Sequence, residues 1–203
     1  MLNQSSVIND IGRKIIHIFT GLTLLVLIYF DICNLYFLTF ISIISIILSL
    51  IYKKHKIPFL VIFIENFDEK NKVNFPGKGF IFFFLGILFS VILFSKTIAL
   101  ASIAVLTIGD PLSYIIGKYV GRIKIPWNKK KNIEGPFIGA CLSTVFIYIL
   151  YSFELVYINK YLLAFGASLI AILIDLRIGD WEIDDNLTIP LISGFIFSFI
   201  ATI

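Results

Sequence analysis

Residues 109–135 read GDPLSYIIGKYVGRIKIPWNKKKNIEG and set the interpretation of the whole chain. The stretch begins with a carboxylate, Asp110, inside an otherwise apolar segment, and it ends in Glu134-Gly135 before the next apolar run. Cations at the density found here suit a polyphosphate, and acids beside them suit the magnesium that accompanies one. The sequence therefore predicts a site for a metal-bound polyphosphate at the end of a membrane helix. The cations are Lys118, Arg122, Lys124, Lys129, Lys130 and Lys131.

The composition is that of an integral membrane protein. Of the 203 residues, 59% are hydrophobic and only 15% are charged, whereas soluble domains are about half apolar and a quarter charged. No small-residue cleavage site follows the first apolar run, so we expect that run to be retained as a span. Cys33 and Cys141 have no metal-binding spacing. The net charge of +4 fits the positive-inside bias of membrane proteins better than nucleic-acid binding.

Seven apolar segments come near the length of about 20 residues that a spanning helix needs. The sequence therefore predicts an all-α integral membrane protein, with residues 1–203 forming a single domain built as a bundle of about seven transmembrane helices. A break is expected near Asp110-Pro111, because proline removes a helix hydrogen bond. The segments are 15–30, 35–52, 79–95, 97–117, 136–153, 161–176 and 187–203.

The cations predict the orientation of this bundle. With the N-terminus in the cytosol, 15 of the 17 Lys and Arg fall on the inner side, and only Lys96 and Lys160 fall outside. Among the 13 acids, only Asp31 and Glu154 fall outside. This is a positive-inside pattern. It predicts a multi-pass protein, of the cytoplasmic membrane if prokaryotic, with its C-terminus outside, its site facing the cytosol and its inner loops touching anionic membrane lipids.

Three residues near the N-terminus form a second cluster. Arg13, Lys14 and His17 lie where the first span meets the inner surface, and positions 13 and 17 share a helix face. They are either an interfacial basic anchor with a packed histidine, or a contact to phosphate or substrate.

Asp110 is the most informative single residue. An ionisable group within an apolar segment usually faces a polar cavity and marks a site, the alternative being a solvated carboxylate at the helix end. In the functional interpretation it holds the magnesium that bridges nucleotide phosphates. Gly117 and Gly121 have the spacing of a close helix seam, with an approach of phosphate as the alternative. The chain has no GxxxxGK[ST] motif, which excludes a P-loop.

A third cluster, DLRIGDWEIDDNLTIP at residues 175–190, places five acids on the predicted inner face. Asp185 or Asn186 is suited to cap the last helix. Adjacent acids with an amide are also good oxygen ligands for magnesium. We expect the cations of residues 118–131 to fold over this cluster.

Together the three clusters resemble the dolichol kinase/phytol kinase family, membrane lipid kinases that generally use CTP. The matching motifs are RKIIH at 13–17, GDPLSYIIGKYVG at 109–121 with KKNIEG at 130–135, and DDNLTIPL at 184–191. The resemblance implies that residues 122–135 form the nucleotide-binding loop and that the acids have metal or catalytic roles. It also marks two departures, since Asn132 and Pro136 stand where the family commonly has Ser or Thr.

The resemblance implies transfer of the γ-phosphate of CTP, with Mg²⁺, to the hydroxyl of a long-chain alcohol. The acceptor would be an isoprenoid alcohol (dolichol, polyprenol, phytol or geranylgeraniol) or diacylglycerol. The first alternative is a phosphatidate cytidylyltransferase, which shares a GD…G…G…K…EG segment but typically has a different C-terminal run. The second is a transporter or scaffold. A transporter would spread ionisable residues through the membrane depth, whereas here they crowd at one face.

The predicted site has four groups of residues. The catalytic residues are Asp110, Asp185 and Asp175, and Asp185 or Asp175 is expected to accept the hydroxyl proton. The metal ligands are Asp110, Asp184 and Asp185. The nucleotide- or phosphate-binding residues are Lys118, Arg122, Lys124, Lys130, Lys131, Glu134 and Gly135. The substrate or phosphate contacts are Arg13, Lys14, His17 and Asn186.

Overall fold

A computed structural model describes residues 4–54, 77–126, 128–151, 158–178 and 184–201. Helices make up most of this part of the chain. They are α1 (Gln4–Tyr29), α2 (Leu35–Lys54), α3 (Lys78–Leu93), α4 (Lys96–Ala104), α5 (Asp110–Tyr119), α6 (Glu134–Tyr151), α7 (Ile158–Ile178) and α8 (Asp185–Ala201). A π-helical segment, Val105–Gly109, joins α4 to α5.

Four helical stretches among the described residues are long and apolar enough to cross a membrane. Three further apolar helices are shorter. Each of the seven apolar segments of the sequence overlaps one of these helices, so the prediction of a mostly helical chain with long apolar helices is confirmed. The count of seven crossings and the orientation of the termini stay predictions. The four long stretches are Ile11–Tyr29, Leu35–Tyr52, Lys96–Tyr119 and Glu134–Tyr151.

The basic loop between α5 and α6 contains a short hairpin, which the sequence did not predict, in an otherwise helical chain. Strand β1 (Lys124–Ile125) pairs antiparallel with β2 (Asn128–Asn132), with Lys124 opposite Asn132. Lysine and asparagine are poor strand formers, so the run NKKKN carries no propensity signal for a strand. The fully buried Ile125 fixes the hairpin against the rest of the protein.

The stretch Lys96–Tyr119 forms the centre of the bundle. In its most apolar window 72% of the residues are buried, compared with 28–39% in the other three long stretches. The break expected at Asp110-Pro111 takes the form of a π-helical turn, in which the Asp110 N–H bonds the Val105 carbonyl. This wider turn accommodates Pro111, so the helix continues past the proline. Asp110 is therefore carried into the interior instead of standing at an exposed helix end.

Small residues let α5 and α6 cross closely. A Cβ added to Gly139 would lie 2.5 Å from the Gly109 carbonyl oxygen and 2.9 Å from Ser113 Cβ. A Cβ on Gly117 would lie 3.4 Å from Gly135 Cα. Gly117 therefore belongs to a close helix seam, as its spacing predicted, and its partner is Gly135 of α6.

We expect Gly139→Leu to destabilise the protein by about 1–3 kcal/mol or more, because the added side chain has no space at the crossing. Thermal unfolding in detergent measures the change. The control is Gly166→Ala on α7, where an added Cβ meets nothing within 4 Å. Equal melting temperatures for the Gly139→Leu variant and the wild type would contradict the close crossing.

Candidate active site

Two opposite charges meet inside the bundle. The Lys14 ammonium of α1 donates a hydrogen bond to the Asp110 carboxylate of α5, with 2.7 Å between Nζ and Oδ2. The exposed fractions of the two side chains are 9% and 10%. Removing two charges from water is costly, and their attraction offsets that cost only in good geometry. This ion pair joins two predicted clusters that are 96 residues apart in the chain.

A second acid and an exposed lysine of the hairpin interact electrostatically with this ion pair. Asp185, the first residue of α8, interacts electrostatically with Lys14 and with Lys131 of the hairpin. Asp110 in turn interacts with Asp185 and Lys131. The structure thus brings together Asp110, Lys131 and Asp185, which come from three separate parts of the sequence. Two carboxylates and two ammonium groups share this region.

Asp184 caps α8. Its Oδ1 accepts hydrogen bonds from the Asn186 backbone N–H at 3.1 Å and from Asn186 Nδ2 at 2.8 Å. The expectation that Asp185 or Asn186 caps this helix is therefore wrong by one or two positions. Burial and the neighbouring Asp185 raise the pKa of Asp184 to about 7. One Asp184 oxygen belongs to the cap, and the Asp184 carboxyl also shares a side-chain hydrogen bond with Asp185.

Three cations surround the ring of Tyr114. Arg13 Cζ, Lys14 Nζ and Lys118 Nζ lie 5.8, 5.0 and 5.2 Å from the ring centroid. Lys118 Nζ also donates a hydrogen bond to the Tyr114 hydroxyl at 3.0 Å. Sequence reasoning missed Tyr114, although it follows Asp110 by four positions and therefore shares its helix face.

His17 is buried, with an exposed fraction of 4%. Its ring packs edge-on against Phe83, with 4.7 Å between the centroids. It also hydrogen-bonds the backbone of Leu106 in the π-helical segment and interacts electrostatically with Lys14 and Asp185. Its Nε2 atom has no hydrogen-bond partner among the described residues.

Two polar side chains hold the hairpin on the end of α5. Glu134 Oε1 accepts hydrogen bonds from the backbone N–H groups of Arg122 at 2.7 Å and Ile123 at 2.9 Å. Asn132 Nδ2 donates to the carbonyl oxygens of Gly117 at 2.6 Å and Gly121 at 3.1 Å. An amide offers two N–H groups where a hydroxyl offers one. This gives Asn132 a structural role at a position where the family commonly has Ser or Thr.

Comparison with known proteins identifies several that are similar in sequence to this chain. "Phytol kinase 1, chloroplastic" of Arabidopsis thaliana is 27% identical over 206 residues, which cover 94% of this chain and 66% of the relative. "Farnesol kinase, chloroplastic" of the same plant is 34% identical over 128 residues, covering 58% and 41%. An uncharacterized protein of Methanocaldococcus jannaschii is 34% identical over 157 residues, covering 77% and 75%. The chain is a distant homologue of these plant kinases, and it resembles them at the level of the family.

The relatives confirm the resemblance that the three motifs predict. The phytol kinase-like chain spans between 41% and 66% of the length of the plant kinases it matches. No family model matches it, and no solved structure matches it.

Several predicted residues of the phytol kinase-like chain lie apart from the buried charges. Arg122 and Lys124 are exposed on the hairpin side of the structure. Gly135 lies in the close crossing of α5 and α6, against the Ser113 carbonyl. Asn186 is buried at the start of α8, where its Nδ2 also donates to the Gly79 carbonyl oxygen at 3.3 Å. The side chains of Lys130 and Asp175 lie outside the described part of the structure.

The side chains of the site are suited to hold a magnesium ion only when that ion is also bound to phosphate. Among the described residues, no group of three or more His, Cys, Asp or Glu lies close enough to hold a metal ion. Asp110 and Asp185 do interact as like charges. Magnesium in phosphate-transferring sites is often held by one or two carboxylates, with phosphate oxygens and water completing its shell. Asp110 and Asp185 match that requirement, and they do not make a cage for a free ion.

We expect Lys14→Met to destabilise the phytol kinase-like protein more than Asp110→Asn. Without Lys14 the buried Asp110 carboxylate faces Asp185, a like charge. Without the Asp110 charge, Lys14 still has Asp185 as a partner. The loss for Lys14→Met should be about 3–5 kcal/mol, and the double variant should lose less than the sum of the single losses. Denaturant unfolding in micelles measures all three.

The control for this cycle is Lys96→Met. Lys96 pairs with Asp31 at 2.6 Å, but the two side chains are 46% and 79% exposed. Such a pair contributes about 1 kcal/mol or less. Strictly additive losses for Lys14→Met and Asp110→Asn would show that the buried charges do not depend on each other.

Proposed function

We propose that this protein is a membrane kinase that transfers the γ-phosphate of CTP to the hydroxyl of a long-chain isoprenoid alcohol. The observation that carries the proposal is the meeting of Asp110, Lys14, Asp185 and Lys131. Phosphoryl transfer depends on positioning and electrostatic stabilisation more than on covalent chemistry by the protein. The names of the plant relatives indicate the class of acceptor, and CTP rests on the resemblance of residues 122–135 to a nucleotide-binding loop.

The proposal includes a seven-span topology with a cytosolic N-terminus and the C-terminus outside. In it, the buried charges lie at the inner surface, where nucleoside triphosphates are available. The pairing of Lys96 with Asp31 supports it, since both residues are assigned to the outer side by the positive-inside pattern. Apolar side chains such as Phe19, Tyr36 and Phe40 are exposed on α1 and α2, as expected of helices that face lipid.

In the proposed mechanism, lysines bind the triphosphate and acids hold the magnesium ion that accompanies it. Lys131 and Lys14 are placed to neutralise charge on the phosphoryl group during transfer. Asp110 and Asp185 would hold the magnesium ion, with Asp184 beside Asp185 as a further carboxylate. When bound, magnesium would neutralise part of the negative charge of the phosphates.

The acceptor hydroxyl approaches from the membrane side in this mechanism. A long apolar tail stays between helices in the inner leaflet while the hydroxyl reaches the buried charges. The alcohol oxygen then attacks the γ-phosphorus in line and gives its proton to a carboxylate of the site. The bond from that phosphorus to the β–γ bridging oxygen breaks, and the nucleoside diphosphate leaves toward the cytosol with the electron pair. Removal of water from the site strengthens each of the charge interactions described above.

The proposal is tested with purified protein in micelles, CTP, magnesium and a panel of alcohols: phytol, farnesol, geranylgeraniol, dolichol and diacylglycerol. We expect label from the γ-phosphate of CTP to enter an isoprenoid alcohol. Label from the α-phosphate would instead show a cytidylyltransferase. Transfer of neither label, with correctly folded protein, would favour a transporter or scaffold and would overturn the proposal.

We expect Asp110→Asn to lower phosphate transfer by at least about 100-fold, because a group that stabilises transition-state charge contributes on that scale. The protein should stay folded, since the substitution keeps the shape of the side chain. The matched control is Asp31→Asn, which removes an exposed acid at the Lys96 pair and should leave the rate unchanged. Near-normal turnover of the Asp110→Asn variant would refute its assigned role.

A further inference from the structure

Tyr114 lies in the middle of the charged face of α5. Asp110, Tyr114 and Lys118 follow one another at intervals of four residues, so their side chains share one face of the helix. Two cations of α1, Arg13 and Lys14, approach the same ring from the neighbouring helix. Tyr114 is therefore the place where cations of two helices meet.

The ring of Tyr114 attracts these cations without neutralising them. Arg13 Cζ, Lys14 Nζ and Lys118 Nζ lie 5.8, 5.0 and 5.2 Å from the ring centroid, which is the range of a cation–π contact. The face of an aromatic ring carries partial negative charge, although the side chain is not an ion. A carboxylate at this position would cancel one of the positive charges. The ring leaves all three charges for an anionic ligand.

The cations need such an attractive group because they repel one another. Arg13 and Lys14 are both buried, with exposed fractions of 9% and 7%, and they interact as like charges. Their side chains are long and flexible, so fixing them costs conformational entropy. The Lys14 ammonium is bonded to Asp110 and also lies against the Tyr114 ring. It is thus held by two groups of α5 that are one helical turn apart.

The Tyr114 hydroxyl holds the third cation through a separate contact. Lys118 Nζ donates a hydrogen bond to this hydroxyl at 3.0 Å. Lys118 is an exposed residue near the end of α5, and its ammonium also lies 5.6 Å from the centroid of the Tyr119 ring. The aromatic face and the hydroxyl of Tyr114 therefore have different contacts. A substitution can remove one of them and keep the other.

Tyrosine is also common where a helix meets the membrane surface, as an anchor with its ring in the headgroup region. That role makes a different prediction. An anchor acts through its contacts with lipid and water, so its loss affects stability and not the affinity for a nucleotide. Tyr114 is half-buried, and the contacts of its ring and hydroxyl described above are with charged side chains.

We propose that Tyr114 is a positioning residue for the phosphate groups of the nucleotide. Its ring holds the cations of Arg13, Lys14 and Lys118 close together, so that they meet the phosphates as a set. Charge attraction falls with distance, so a flexible cation binds phosphate well only when it is kept in place. The inference rests on the proposed kinase function for the identity of the nucleotide, and it concerns the binding of CTP that precedes transfer.

Two substitutions separate the ring of Tyr114 from its hydroxyl. Tyr114→Phe keeps the aromatic face and removes the hydrogen bond to Lys118, whereas Tyr114→Leu removes both. The matched control is Tyr36→Leu, because it removes the same kind of ring from α2, where Tyr36 is 84% exposed.

The experiment measures the binding of labelled CTP with magnesium to the 203-residue chain in micelles, and then the transfer of phosphate to phytol. For Tyr114→Leu we expect the Kd and KM for CTP to rise at least about tenfold, the scale of a desolvated cation–π contact. The KM for phytol should change less than about twofold. Tyr114→Phe should stay within about threefold of wild type for CTP, since it keeps the ring. Tyr36→Leu should behave as wild type.

Three results would overturn the inference. The first is a CTP affinity of Tyr114→Leu within about threefold of wild type. The second is an equal loss for CTP and for phytol, which shows a general structural role. The third is a loss of about tenfold in Tyr114→Phe as well, which assigns the effect to the hydroxyl instead of the ring.

Folding of the variants and failure of the kinase proposal are distinguished as follows. If Tyr114→Leu does not fold, Tyr114→Met takes its place with the same expected values, and failure of both to fold overturns the inference by showing a structural role. A wild-type protein that binds CTP but phosphorylates no alcohol overturns the kinase proposal alone, and the CTP affinities of the variants then decide the role of Tyr114. A wild-type protein that binds no CTP overturns both.

Discussion

The hydrogen bond between Lys14 Nζ and Asp110 Oδ2 is the contact on which the rest of the site depends. Two charges buried among apolar helices must satisfy each other, because neither lipid nor core side chains can solvate them. The pair fixes α1 against α5. It therefore determines where Arg13 and His17, one turn apart on α1, meet the rest of the buried groups. Without it α1 would lose its buried ion pair with α5.

The charges around the ion pair balance in sign, with the lysines Lys14 and Lys131 and the acids Asp110 and Asp185. Lys14 and Asp110 are buried, whereas Lys131 is exposed on the hairpin. Opposite charges so arranged can satisfy each other without a ligand. In the proposed function, a magnesium–triphosphate complex would bring both signs of charge and would exchange partners with these residues.

The parts of the fold that the sequence predicted are those that depend on composition. Long apolar runs mark helices whatever surrounds them. Asp110 was recognisable because a carboxylate within such a run is costly. The hairpin at residues 124–132 was missed, because its strands depend on Ile125 finding a buried site and not on β propensity. The cap of α8 lies one or two residues before the predicted positions, since Asp and Asn are equally good caps until the backbone is known.

Tertiary contacts decide the remainder of the site. Tyr114 lies on the same helix face as Asp110, but only packing against α1 surrounds its ring with three cations. Asn132 was noted as a departure from a hydroxyl residue, yet its bonds to two carbonyl oxygens appear only once the hairpin is folded. Neither the side chain of Asp175 nor that of Lys130 lies in the described part of the structure, so their roles stay predictions.

The π-helical segment Val105–Gly109 determines how far α5 is rotated about the helix axis relative to α4. Each residue of an α-helix turns the chain by about 100°. A wide turn holds one residue more than an α-helical turn, so α5 is rotated relative to where an uninterrupted α4 would place it. The apolar face of α4 can then stay in the core while the face bearing Asp110 and Tyr114 points at α1. A single additional residue thus allows one continuous helical stretch to pack in the core through α4 and to present polar side chains through α5.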